Sequence, residues 1–550
     1  MKGIWGDIVG LLERTGPRLY AGVPGDDPDI IDAARAAGAQ FAALQDQRSA
    51  SFAAVGWSRL NGRAAVLATA TGPNLLNALI GISEAYTSRT PLLVVSTINR
   101  DTEVGRGGFQ EFPAAALSEG LFVWTHRVAS AADLAWAVSR ARYLAENGQR
   151  GPVHLMISPE LADARVPDGL AETLVRAPMP LGQTAETLAP VFEALRAAQR
   201  PVLLFGGGTR QADVADYGLP LAAALNALCL VTASGRGVFP EDDPHFGGLA
   251  GLYLPEESRA ALAEADAVVV LGSQLEETAL MGWDAPERAL LAHVDTDPAV
   301  LDRAVPARYP VVCDSGVFLR LAADFAGPPS ASAPWWRPWQ PMRDDGAGLG
   351  TVLFWTTLRA ALRDQRVDVL AQENGLADLW GYYAPCFTLP PGVRPLVPSE
   401  QTPLGFGLGA ALGAASDGRR VVAVGGDGAF LTNLPSILAA ARMAADICYI
   451  CLDNGGFGWP SLSRTDTAIV DFDAGASIIA LADAAGYTTA VVSEPHLLAK
   501  TLGDALAGSG ARLVVVRLSD RPAFPPVRSA DLVPEVVIKE DDGGGPATGP

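Results

Sequence analysis

Short apolar runs without polar alternation recur along the chain: AAVLATATG (64–72), PLLVVST (91–97), PVHLMIS (152–158), PVLLFGGG (201–208), AVVVLGS (267–273), VVAVGGDG (421–428), ICYICLDN (447–454) and LVVVRL (513–518). Such runs fit strands buried on both faces, and longer helical patterns separate them, so the expected class is α/β with mainly parallel sheets covered by helices. The runs fall into three blocks, which predict three doubly wound domains over residues 1–175, 180–330 and 346–525. Between the last two, PPSASAPWWRPWQPMRDDGAG (328–348) holds too much Pro, Ser and Gly for a helix or a central strand, and 331–345 reads as a linker. Trp335 and Trp336 are expected to pin it to a domain surface. Residues 526–550 form a C-terminal tail whose end, EDDGGGPATGP, has almost nothing to bury and is expected to be disordered.

The 550 residues are 49% hydrophobic and 19% charged, enough apolar material for several cores. With 41 Lys plus Arg against 61 Asp plus Glu, the net charge is −20, and such a surface repels phosphate backbones and anionic lipid heads. Nucleic acid and membranes are therefore not expected partners. The start, MKGIWGDIVGLLERTG, lacks a long apolar stretch followed by a small-residue cleavage site, and no run of 18 apolar residues occurs. The five cysteines (Cys229, Cys313, Cys386, Cys448 and Cys451) show no metal-ligand spacing, and Cys448 and Cys451 read as small hydrophobes in an apolar run. A cytoplasmic protein is the expectation. His126, His154, His245, His293 and His496 are scattered without metal spacing and read as structural.

Candidate chemistry concentrates in the last block. VVAVGGDG (421–428) reads as a buried strand ending in a glycine turn, followed by a helix-compatible stretch (436–445) and a second strand ending in Asp453-Asn454-Gly455-Gly456. Both strand ends deliver polar groups to the edge where open α/β sheets bind ligands. Gly426 and Gly428 allow an anion close to the backbone, Asp427 supplies a carboxylate, and Asn454 an amide oxygen. Hard oxygen ligands of this kind suit Mg²⁺ holding a diphosphate.

At these residues the sequence resembles the thiamine diphosphate (ThDP) enzymes of the acetolactate synthase and pyruvate decarboxylase superfamily, whose signature is GDG, about 25 residues, then Asn. The resemblance covers about residues 1–525 and implies a pyrimidine-binding, a central and a diphosphate-binding domain. It implies Mg²⁺ held by Asp427, Asn454 and the Gly456 carbonyl, with Gly426, Gly428, Ala429 and Phe457 on the cofactor. Glu373, Asn374, Gly375, Leu376 and Ala377 match the family's other diphosphate-contacting loop, with side chains that depart from the acetolactate synthase version. Pro403-Leu404-Gly405-Phe406-Gly407-Leu408 resembles its GFGL segment, which makes Leu404 the wedge that bends the cofactor and the Thr402 carbonyl the acceptor for its 4′-amino group. In the first block, Thr71 to Asn77 resembles the family's SGPG-type turn, and Gln47 to Arg59 aligns with the segment that begins at the catalytic Glu. Gln47 occupies that position. An amide can hydrogen-bond N1′ of the aminopyrimidine but cannot change protonation state, so activation should be slower or differently driven. Asp46 is the neighbouring acid, but on a strand it would face the other way.

Substrate-side signals are mixed. Gly22-Val23-Pro24-Gly25-Asp26 resembles the decarboxylase branch, in which the Asp assists proton transfer, although the paired histidines of that branch are missing; a helix-start turn is the plainer role for Asp26. Gly108-Phe109-Gln110-Glu111 resembles the FQE segment of acetolactate synthases, placing Gln110 at the substrate end, with a surface loop as the alternative. In the central block the turn Gly206-Gly207-Gly208 is weak ground for a nucleotide; some relatives bind FAD or ADP there, and FAD is not the favoured expectation. The resemblance implies a ThDP- and Mg²⁺-dependent carboligase or lyase acting on a 2-oxo acid, forming or breaking a C–C bond through an enamine, with an aldehyde or ketone acceptor and a homodimer or homotetramer as the working unit. A decarboxylase releasing an aldehyde and a non-catalytic ThDP-binding paralogue are the alternatives.

Overall fold

The computed structural model describes residues 3–25, 29–113, 116–117, 120–167, 181–283, 285–286, 289–344, 346, 348–399, 401–462, 464–472, 475–519 and 522–526. Asp26 and the tail from 527 onward lie outside them.

Among the described residues, eighteen strands form three six-stranded sheets with every strand pairing parallel. The first holds β1 (Leu19–Gly22), β2 (Gln40–Ala43), β3 (Ala65–Ala70), β4 (Leu92–Thr97), β5 (Trp124–Val128) and β6 (Pro152–Ile157), in the order β2-β1-β3-β4-β6-β5. The second holds β7 (Pro201–Phe205), β8 (Leu228–Val231), β9 (Phe246–Leu249), β10 (Ala267–Leu271), β11 (Leu290–Asp295) and β12 (Tyr309–Val312), in the order β12-β11-β10-β7-β8-β9. The third holds β13 (Val369–Gln372), β14 (Arg394–Leu396), β15 (Val421–Gly426), β16 (Ile447–Asp453), β17 (Thr488–Val492) and β18 (Ala511–Arg517), ordered β14-β13-β15-β16-β18-β17. The α/β class and the three parallel sheets agree with the sequence pattern. The central strands are the ones whose residues read as continuous apolar runs, because helices cover both faces; Ile447 to Leu452 in β16 is buried throughout.

One apolar core runs through both outer domains. Its seam is a pair of helices, Gln47–Asn61 and Phe406–Ser416, that run side by side. A Cβ on Gly413 would stand 1.9 Å from the Ala53 carbonyl oxygen, so only glycine permits this approach. At the far end Trp57 Nε1 donates to Asp417 at 2.7 Å. The segment after the central domain lies along its surface: Trp336 is buried in that domain's core, and Trp335 Nε1 donates to the Asn226 carbonyl at 3.1 Å. All five cysteines are buried and unpaired.

Candidate cofactor and metal site

The third sheet changes winding direction between β13 and β15, which opens a crevice at the carboxyl ends of those strands. Register pairs Gly426 of β15 with Leu452 of β16, so Asp427 and Asp453 leave the sheet side by side. The turn predicted after β15 is the start of a short helix, Asp427–Thr432, with Gly426 as its N-cap. Asp427 is buried; its Oδ1 accepts from the Gly428 amide at 2.8 Å and its Oδ2 from the Gly456 amide at 3.0 Å. Burial pushes its carboxyl up to about 7, against the pull of those amides and with help from Asp453.

One terminal atom of the Asn454 amide lies 3.1 Å from both Asp427 Oδ1 and the Gly456 carbonyl oxygen. With nitrogen there, two hydrogen bonds fill the gap. With oxygen there, it stands 3.1 Å from each of two further oxygens with no hydrogen between, near the spacing of adjacent corners of an octahedron with about 2.1 Å bonds. The donor set therefore fits a hard divalent cation, which would displace a proton from Asp427. Among the described residues no group of three His, Cys, Asp or Glu side chains could hold a metal.

Phe457 packs on Gly428, where a Cβ would stand 2.6 Å from the ring, and meets Phe472 edge-on at 5.0 Å. Leu376 lies with Asn454 beside Gly458. Gly375 caps the short helix Leu376–Leu379, the Ala377 carbonyl accepts from Trp355, and Ala429 is buried in the helix after Asp427. Asn374 and Thr402 line one small cavity with Tyr382 and Ser399. Thr402 has φ 38°, rare for a β-branched residue, and Leu404 two residues on is 38% exposed.

Gln47 opens the helix Gln47–Asn61. It is 2% exposed, and neither its Oε1 nor its Nε2 has a hydrogen-bond partner. A buried amide without partners is costly. The helix start is tied to the Leu404 segment: Ser49 Oγ donates to Asn433 Oδ1 at 3.0 Å, and Asn433 Nδ2 donates to the Gly405 carbonyl at 2.5 Å. Asp46 is not on a strand. It is the N-cap of this helix, and its Oδ2 accepts from the Ser49 amide at 2.9 Å.

Gln110 is exposed at φ 53°, yet its carbonyl lies against Gly72, where a Cβ would come within 2.8 Å of it. This puts the loop on the carboxyl end of β3. Its neighbour Glu111 fixes the loop by accepting from the Gly105, Gly107 and Gly108 amides, which holds its carboxyl below the ordinary range. The helix after Asp26 is capped by Asp29. His126 pairs with Asp133 at 2.8 Å and stacks on Trp124, a packing role. In the central domain Gly206 and Gly208 pack against Gly272 at the turns after β7 and β10. The cavity beside them is about 160 Å³, below the roughly 300–1,000 Å³ of ligand pockets, and its Asp297 is engaged by Arg89 and Gln149.

Sequence reading missed Asn433 and the role of Glu373. Glu373 is fully buried and accepts from the Gly405 amide at 3.0 Å and the Leu408 amide at 3.2 Å; burial raises its carboxyl to about 7. Glu373 opens the matched loop, but nothing local in sequence says that it caps a helix so far along the chain.

Models of the thiamine pyrophosphate enzymes match the chain in three places: the N-terminal TPP binding domain over residues 6–117, the central domain over 188–321 and the C-terminal TPP binding domain over 380–516. The chain is a thiamine pyrophosphate enzyme. Within that family it stands with the acetolactate synthase and pyruvate decarboxylase superfamily. This thiamine pyrophosphate enzyme is 25% identical over 479 residues to the acetolactate synthase large subunit of Haemophilus influenzae, covering 82% of each chain. It is 25% identical over 584 residues to the sulfoacetaldehyde acetyltransferase of Rhodobacter capsulatus, covering 96% of each. Its fold matches the thiamine diphosphate-dependent 4-hydroxybenzoylformate decarboxylase of Rhodococcus jostii RHA1 with a TM-score of 0.81 at 22% identity, over 94% of this chain and all of that one. Among the described residues no helix is long and apolar enough to cross a membrane.

Proposed function

We propose that this thiamine pyrophosphate enzyme uses ThDP with Mg²⁺ to act on a 2-oxo acid, as a carboligase or lyase of acetolactate synthase type. The observation that carries the reading is the Asn454 amide set 3.1 Å from both Asp427 Oδ1 and the Gly456 carbonyl oxygen at the ends of β15 and β16. Bound ThDP supplies a nucleophilic carbon and an electron sink for the departing carboxylate. Asp427, Asn454 and Gly456 would hold the metal and diphosphate, the Thr402 carbonyl would accept from the 4′-amino group, and Leu404 would bear on the bend. Gln47 would use its unpartnered amide on N1′, holding the ring without exchanging a proton. Gln110 and Asp26 are assigned to the substrate end. Exposed Leu76 and Ile80 on one helix and Leu438 on another support a homodimer or homotetramer.

The holoenzyme, offered a panel of 2-oxo acids with and without aldehydes, should release CO₂ and give a ligated product by mass spectrometry. Free aldehyde alone would make it a decarboxylase, and no product from any pair would reject the catalytic reading. Gln47→Glu should speed exchange of the cofactor C2 proton, followed by NMR, by about 100-fold or more. An unchanged rate would take Gln47 off N1′.

A further inference from the structure

A second buried polar cluster joins the N-terminal and C-terminal domains. Glu84, on the helix Pro73–Thr87, accepts at Oε1 from the Ser399 amide at 2.7 Å and from Arg59 Nη2 at 2.5 Å, and at Oε2 from the Ser399 hydroxyl at 2.8 Å. Arg59 also donates from Nε to Thr90 Oγ1 at 3.1 Å, bonds the Val397 carbonyl through Nη1, and lies 5.0 Å from the centre of the Phe406 ring. Two N-terminal side chains thus grip the C-terminal domain at Val397, Ser399 and Phe406, on both sides of Thr402. The Thr402 amide donates to the Ser399 carbonyl at 2.9 Å, and its φ of 38° needs surroundings that over-determine it. A buried ion pair is weak as a source of net stability, because packed apolar residues do as well. Flanking a strained segment, it is suited to fixing geometry.

We propose that Arg59 and Glu84 are positioning residues for the Thr402–Leu404 segment, setting from the N-terminal domain where the Thr402 carbonyl and the Leu404 side chain stand. The inference rests on the ThDP reading above, in which those two groups hold and bend the aminopyrimidine. Loosening the grip leaves the Asp427, Asn454 and Gly456 oxygens untouched, so the diphosphate end should bind as before while the pyrimidine end loses its alignment.

The full-length Glu84→Gln and Ser399→Ala variants, given ThDP and Mg²⁺, test this by calorimetric Kd and by C2-proton exchange. The Kd should stay within about threefold of wild type, while exchange slows by about tenfold or more, since small misplacements are amplified in reactivity. Ser399→Ala keeps the ion pair intact and gives the answer if Glu84→Gln does not fold. Wild-type exchange in the variant measured overturns the proposal, as does a loss of affinity that merely follows a lower melting temperature of the unliganded protein. Wild-type protein that takes up no ThDP overturns the ThDP reading itself and this inference with it.

Discussion

The first and third sheets have the same strand order, β2-β1-β3-β4-β6-β5 against β14-β13-β15-β16-β18-β17, and each sends one helix to the seam between them. Their chemistry parts at the strand ends. After β15 the helix begins with Asp427, Gly428 and Ala429, offering a carboxylate and amides. After β3 the corresponding helix begins at Pro73, which has no amide hydrogen, behind Gly72 at φ 68°. The proposed metal and anion site falls in the C-terminal copy, while the N-terminal helix start offers no carboxylate and one amide fewer. The seam helices differ as well: one starts with a buried glutamine amide that has no partner, while the other has its first amides satisfied by Glu373. One scaffold used twice thus acquires two roles through a few residues at its crevices.

The comparison can be broken most severely at the seam. Gly413→Ala should cost about 3 kcal/mol or more of stability in denaturant titration, because its methyl meets a backbone oxygen that cannot step aside. A cost under about 1 kcal/mol would mean that the helices are not so tightly apposed. Asp427→Ala should leave the fold intact but remove the thermal stabilisation by ThDP with Mg²⁺, worth about 2.7 kcal/mol at a hundredfold excess over Kd; retained stabilisation would move the metal elsewhere. The third test is in pH. In the unliganded protein the Asp427 carboxyl, raised to about 7, keeps a proton that the unfolded chain gives up near pH 4, so this group's contribution to stability falls as pH rises between those values. Cofactor and metal need the carboxylate, and calorimetric affinity should tighten by up to about tenfold per unit from pH 5 to 7 and then level off. A flat profile would show that Asp427 binds no metal.

Long central strands were legible in sequence because burial on both faces leaves an unbroken apolar run. Short ones were not: β1, β8, β13 and β14 have three or four residues each, too few for periodicity to speak. Edge strands such as β2 and β17 mix exposed and buried positions. At the site, Asp427, Asn454 and Gly456 could be read because two adjacent strand ends bring them together with one short crossover. Glu373, Asn433 and Glu84 act on partners far along the chain, and only tertiary packing reveals those distances. Asp46 shows the opposite error, in which a residue read as strand proved to be a helix cap.

The seam also has a consequence for synthesis. Phe52 finds its neighbours at Phe406 and Gly409 about 350 residues later in the chain. At roughly 5–20 residues per second, a growing polypeptide carries that apolar helix face uncovered for roughly 20–70 s. Nascent chains should therefore lean on a holding chaperone until the last third leaves the ribosome.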